Sequence, residues 1–399
     1  MRTLLLLLLS ASALTSQRIP WNFAELSRAP QVFDASTTEP GVRALFYASV
    51  PWKSKPTRVF AYYGAPARTG GKRLPAMVLI HGGGGTAFAE WVRMWNRRGY
   101  AAIAMDTCGN QTDPATDGKP WNPPRHHHEY GGPEGWGGFA QIDEPTTDQW
   151  TYHAVAAVVL AHSLIRTFPE VDPKRIGLTG ISWGGYLTDI VAGVDPRFRF
   201  AAPVYGCGFL GEDSAWLDQF AKMGPDKAAH WLALWDPSQY LPLAHRPMLW
   251  VTGTNDFAYP MPSLQKSYRL PRGPRTLAVR VRMPHGHQEG SKPEEIHALA
   301  DAMLLPGSAR SALPRIVSAH TAGGVLTAAY RSARPVAKAE LNYTRDLGKW
   351  QERKWETVPA NLDAAKQRAT AQVPEGARVW YLNLFDDRGL VVSSEHESR

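Results

Sequence analysis

The sequence predicts an α/β fold: a mostly parallel sheet with helices on both faces, followed by a small C-terminal all-β sandwich. Three observations carry this. Short continuous apolar runs, such as Met77 to Ile80 and Ala101 to Met105, read as strands buried on both faces. Segments with helical spacing, such as Phe88 to Arg98 and Thr147 to Phe168, alternate with them. After Pro306 the pattern changes to short strand-like runs separated by turn residues. The 399 residues are too many for one small domain, and 44% apolar with 20% charged residues is globular composition.

The elements follow in order. Met1-Arg2-Thr3, six leucines and Ser10-Ala11-Ser12-Ala13 have the basic start, short apolar run and Ala-x-Ala site of a secretory signal peptide. The run is well short of the roughly 20 residues a membrane span needs. The expectation is a signal peptide at 1–13, a secreted or periplasmic protein, and no span in the mature chain. A lead-in at 14–40 precedes an α/β domain at 41–305. Its strands are expected at Arg43 to Val50, Arg58 to Tyr63, the two runs above, Arg175 to Thr179, Phe200 to Tyr205, Met248 to Thr252 and Leu277 to Met283. Gly184 to Ala192 reads as a helix. The stretch 107–146 is Pro-, Gly-, Trp- and His-rich with little periodicity, as in a long functional loop. The sandwich at 306–399 is expected to use Arg315 to Ala319, Val325 to Tyr330, Ala339 to Tyr343, Val379 to Leu384 and Leu390 to Ser394.

Composition excludes several classes. The net charge of +8 comes from 44 basic and 36 acidic residues, with no run of five Lys/Arg, so no nucleic-acid partner is expected. Two cysteines exclude a disulfide scaffold and a Cys-rich zinc module. Cys108 and Cys207 follow strands that two others should separate. That places them about 14 Å apart, beyond the roughly 7 Å a bridge allows, unless long loops converge.

Gly180-Ile181-Ser182-Trp183-Gly184 lies between a predicted strand and a predicted helix. In that context Gly-x-Ser-x-Gly is a turn that raises a nucleophilic serine above the sheet. His81-Gly82-Gly83-Gly84-Gly85 follows another strand. Its bare backbone N–H groups suit a developing oxyanion. Gly83 or Gly84 would be one donor and Trp183 N–H the other. A serine hydroxyl needs a base, and the base an orienting acid. Asp256, after the strand at 248–252, is the best acid. Met283-Pro284-His285-Gly286-His287 offers two bases. The glycine before His287 suits a tight returning loop, so His287 is preferred, with His285 the alternative. His126-His127-His128 invites a metal reading, but three consecutive side chains diverge, and no metal or other cofactor is expected. His126, Trp121 and Trp136 are candidate substrate contacts. The loop aromatics either stack on sugar rings or pack the loop onto the domain.

Together these motifs resemble the α/β-hydrolase superfamily over roughly residues 40–305. The Ser-Trp-Gly-Gly elbow looks like acetyl-xylan-esterase-like and dipeptidyl-aminopeptidase-like members. The chain beyond 306, with Trp350, Trp355 and Leu390 to Ser394, is similar to the tail of PhoPQ-activated pathogenicity-related proteins. The resemblance implies a triad of Ser182, Asp256 and His287. It also implies a serine carboxylesterase that removes acetyl or other small acyl groups, with carbohydrate as the expected carrier. A peptidase of acylaminoacyl or dipeptidyl type is the second expectation. It is weakened because only a short segment precedes the first strand, too little for a propeller. A non-catalytic binding protein on the same fold is the third.

Overall fold

The computed structural model describes residues 19–37, 39–67, 71–115, 118–305, 307–308 and 311–399. The expected signal peptide at 1–13 and the pattern change at Pro306 lie outside the described residues.

The first part of the chain gives helix α1 (Phe23–Leu26), then strands β1 (Val32–Asp34), β2 (Arg43–Trp52), β3 (Lys55–Gly64) and β4 (Leu74–Ile80). Helix α2 (Ala89–Arg97) leads to β5 (Ala101–Met105), and a small hairpin follows, β6 (Asn110–Thr112) with β7 (Arg125–His127). Helix α3 (Trp150–Ile165), β8 (Val171–Ile181), α4 (Trp183–Val194) and β9 (Ala201–Val204) build the centre. Then come α5 (Leu217–Met223), α6 (Pro225–Trp235), β10 (Met248–Gly253), α7 (Met261–Tyr268), β11 (Arg275–Arg280), α8 (His287–Ser291) and α9 (Glu294–Leu304).

Nine of these strands form one sheet in the order β1-β2-β3-β5-β4-β8-β9-β10-β11. Pairing is antiparallel from β1 to β5 and parallel from β5 to β11. Parallel strands must be covered on both faces. All of α3 except Tyr152 is buried, as its nearly unbroken apolar sequence requires. It packs on α4 through Trp150, Trp183 and Tyr186. On the other face, α2 meets α9 where Trp95 contacts His297, with ring centres 4.6 Å apart. The strand ends at Ile80, Ile181, Val204, Gly253 and Arg280 all point the same way, so the loops beyond them converge.

The chain then forms two antiparallel sheets. One is β12 (Arg315–Ala322), β13 (Val325–Arg331), β16 (Asn361–Asp363) and β17 (Arg368–Gln372) in the order β12-β13-β17-β16. The other has β14 (Val336–Thr344), β15 (Glu356–Pro359), β18 (Val379–Asp386), β19 (Val391–Ser393) and β20 (Glu397–Ser398) around β18 and β14. Leu326 and Tyr330 of one sheet share a core with Leu341, Trp380 and Leu382 of the other.

These sheets seal the edge of the large one. Val279 N–H of β11 donates to Ser393 Oγ at 2.8 Å, and Val279 O accepts from Asn383 Nδ2 at 3.1 Å. Side chains thus satisfy backbone groups that an edge strand leaves open. Glu395 pairs with both Arg269 and Arg275 on the same border. Among the described residues no helix is long and apolar enough to cross a membrane.

Two expectations need correction. The strand expected at Leu277 to Met283 stops at Arg280, because Arg282 takes a left-handed turn with φ 54°. The stretch 206–305, read mainly for its strands, also holds α5, α6, α7 and α9. Cys108 and Cys207 are free, buried thiols, consistent with the spacing of β5 and β9.

Candidate active site

Ser182 joins β8 to α4 with φ 59° and ψ −119°. Such a backbone costs of order 1–3 kcal/mol outside glycine and persists only where packing dictates it. Here a Cβ on Gly184 would strike the Ile80 carbonyl, and one on Gly180 the Gly184 carbonyl. Strand and helix pass at backbone distance, so glycine is required at both places. Ser182 N–H donates to Val204 O at 2.8 Å. Its side chain stays partly exposed, at the N-terminus of a twelve-residue helix, where negative charge is favoured.

Asp256 is buried just beyond β10. Its Oδ1 accepts from Ala258 N–H at 2.9 Å and Tyr259 N–H at 2.7 Å. Its Oδ2 faces His285 Nδ1 at 2.7 Å. Nδ1 therefore carries the proton, and Nε2 is the nitrogen left for another partner. Tyr205 stacks on the His285 ring at 4.3 Å, and Tyr205 O–H donates to Pro284 O at 2.6 Å. Ser182 and His285 are thus fastened to consecutive residues at the end of β9, Val204 and Tyr205. No hydrogen bond joins Ser182 Oγ to an imidazole among the described residues. Such contacts often tighten only when substrate binds.

The preference for His287 over His285 does not survive this geometry. His287 is the first residue of α8, and its ring turns back under the glycine loop. Its Nε2 accepts from Gly82 N–H at 3.0 Å, and Phe88 packs on it at 4.9 Å. Burial pushes the imidazole down to about 3, so it is neutral. The returning loop is made by Arg282, not by Gly286, whose backbone is extended. In addition, Met283 O lies where a side chain on Gly253 would be, which brings the two loops together.

The glycine loop is held from below. His81 is buried, with Nδ1 on Gly82 O at 2.8 Å and Nε2 accepting from Thr107 N–H at 2.9 Å. Gly82 N–H is taken by His287, and Gly85 N–H by Gly82 O at 3.1 Å. Gly83 and Gly84 N–H, and Trp183 N–H, have no acceptor among the described residues. Of the two glycines, Gly83 lies against the elbow: a Cβ there would be 2.9 Å from Trp183 Cδ1 and 3.8 Å from the Trp136 ring. A Cβ on Gly84 would meet open space.

The loop aromatics mostly pack. Trp121 lies on Phe88 and Trp91, and Phe139 stacks on Trp231. Trp136 stays partly exposed beside Gly83, and its Nε1 has no hydrogen-bond partner among the described residues. His126 is exposed and bound to Asp113 at 3.0 Å, with no contact to the elbow among the described residues. His127 and His128 bind separate backbone groups, Gly132 O and Tyr130 N–H, so the three rings diverge. Phe257 was missed in the sequence. It is 53% exposed and lies 4.9 Å from the His285 ring. Its place next to Asp256 is the signal that would have found it.

The acetyl xylan esterase (AXE1) profile matches residues 26–212, and that of the prolyl oligopeptidase family matches residues 141–304. Among solved structures, an acetyl xylan esterase from Paenibacillus sp. R4 is 19% identical over 71% of this chain and 92% of its own, with a TM-score of 0.55. Acetyl xylan esterase 1 from Thermoanaerobacterium sp. JW/SL YS485 is 16% identical over 72% and 93%, with a TM-score of 0.53. Sheet order, elbow and matches define the class: the chain has the α/β-hydrolase fold. Within that class the chain is acetyl-xylan-esterase-like and prolyl-oligopeptidase-like, and it is a serine hydrolase.

Proposed function

We propose that the protein is an exported esterase that removes acetyl or other small acyl groups from carbohydrate, with Ser182, His285 and Asp256 as its triad. The observation that carries this is the His285–Asp256 hydrogen bond at the strand ends that also hold the strained Ser182. Ser182 Oγ attacks the ester carbonyl while His285 Nε2 takes its proton. The proton then passes to the departing alcohol, and a water repeats the cycle on the acyl-serine. Asp256 holds the imidazole in the right tautomer and stabilises its charged form. Gly83 and Trp183 N–H bind the oxyanion, where one donor is worth about 10²–10³ in rate. Trp136 and Trp183 crowd the loop at Gly83, which favours a small acyl group. Exposed Phe257 offers a face for a sugar ring. Export rests on the leader-like residues 1–13.

The prolyl oligopeptidase match spans Ser182, Asp256 and His285, and so favours a peptidase as the second reading. The test is acetate release from 4-nitrophenyl acetate and acetylated xylan, with aminoacyl 4-nitroanilides alongside, for wild type and Ser182→Ala. The esterase reading expects turnover of both esters, lost by more than about 10⁴-fold in the variant. Cleavage of the anilides alone would favour the peptidase. Unchanged turnover in Ser182→Ala would end both.

A further inference from the structure

The C-terminal sheets reach the acid loop through one side chain. Asn255, directly before Asp256, is half-buried. Its Nδ2 donates towards three carbonyls of the short helical turn at Trp350–Glu352 and its exit: Trp350 O at 3.3 Å, Gln351 O at 3.2 Å and Arg353 O at 2.7 Å. Its Oδ1 accepts from Thr254 Oγ1–H at 2.8 Å. Thr254 Oγ1 in turn accepts from Arg282 N–H at 3.0 Å, at the left-handed turn that returns the chain to His285. The Arg282 guanidinium also reaches Arg353 O at 3.4 Å.

We infer that Asn255 and Thr254 form a clamp by which the 346–354 loop positions Asp256 and His285, making the C-terminal sheets a positioning part of the catalytic apparatus. This inference rests on the triad proposed above. The chain of donors and acceptors is continuous from the base loop, through the acid loop, to the C-terminal sheets. Three carbonyls converge on one amide, and only an Asn or Gln side chain supplies a neutral N–H₂ group there. The clamp is separate from the other links across the same border. Gln265 Nε2 donates to His396 O at 2.7 Å from α7, and Gln265 has no hydrogen bond to either loop among the described residues. A second feature agrees with the assignment: Phe257, on the far side of Asp256 from Asn255, packs on His285. Fixing residue 255 therefore fixes both the carboxylate and a ring that bounds the imidazole. Loosening it shifts the imidazole by fractions of an ångström, and misplacement of about 1 Å can cost about 10²-fold in rate.

The test uses the full chain with Asn255→Ala, Thr254→Val and the control Gln265→Ala. Two quantities are read: kcat and KM on 4-nitrophenyl acetate, and the low-field proton resonance of His285 Nδ1–H, assigned by its loss in His285→Ala. Asn255→Ala and Thr254→Val are expected to lower kcat about tenfold with KM within about twofold. They should also broaden or move the resonance. Gln265→Ala should keep wild-type kcat and resonance. If Asn255→Ala does not fold, Thr254→Val, which nearly preserves volume, carries the test. Wild-type kcat and resonance in folded clamp variants would overturn the inference, as would equal losses in Gln265→Ala. If Ser182→Ala keeps full turnover, the triad has failed, while the resonance still decides whether the clamp holds the imidazole.

Discussion

His285 and His287 stand two residues apart and meet different fates. His285 keeps one nitrogen on a buried carboxylate, and the other has no hydrogen bond among the described residues. His287 spends its Nε2 on Gly82 N–H and is too buried to take a proton readily. A base must accept a proton within reach of the serine, and a group held neutral to about pH 3 is a poor one. His285→Ala is therefore expected to lower kcat by at least about 10³-fold. His287→Gln keeps an acceptor for Gly82 N–H and should cost about tenfold or less, through the glycine loop alone. Steady-state kinetics on a small ester decide this, and the reverse order of effects would return the base to His287. The sequence singled out Ser182 and Asp256 as candidates because their cues are local: a strand–serine–helix pattern, and an acid just past a strand. It left two histidines open, because where each ring goes depends on Arg282 turning left-handed and on Met283 settling against Gly253. Those are contacts between distant segments that leave no periodic trace.

Helix α4 carries the elbow at one end and a buried acid in its middle. Asp189 is fully buried, and neither carboxylate oxygen has a hydrogen-bond partner among the described residues. Burial, reinforced by Asp236, raises its pKa well above the usual carboxylate value. The folded chain thus keeps this proton where the unfolded chain, titrating near 3.8, loses it. Its contribution to stability is fullest below about pH 4 and declines as pH rises towards the folded pKa. Asn at this position fills the same space and does not titrate. Asp189→Asn should match wild type in Tm at pH 4 and exceed it at pH 8. A gap that does not change with pH would mean the carboxyl ionises alike in both states. At the scale of elements, strands with continuous apolar runs were legible, as were α3 and α4. The helices between 206 and 305 were less so. Helix α6 opens on Pro225 and buries only Trp231 and Trp235, so its apolar face is too narrow to register. Strands β15, β16 and β20 are short and bury no residue fully, and only their pairing makes them strands.

The whole molecule is built so that its two parts do not end separately. A nine-stranded sheet that stopped at β11 would present an open, apolar edge, which invites pairing with other chains. Met261 and Val279 of the hydrolase instead share a small core with Trp355, Val379 and Tyr381. Ser393 and Asn383 occupy the backbone groups of Val279. This common core and the Glu395 pairs with Arg269 and Arg275 tie the sheets to α7 and β11. A shared core means shared unfolding, because neither side can open without exposing the other's apolar surface. Calorimetry of the full chain is therefore expected to give one transition. Ser393→Ala leaves the buried Val279 N–H without an acceptor, a loss of about 1–3 kcal/mol. That loss should lower the single transition as a unit and leave its shape unchanged. Two transitions, with only one of them moved by the substitution, would mean that the C-terminal sheets are an independent appendage. In that case the edge of β11 must be protected by some means other than the Val279 contacts.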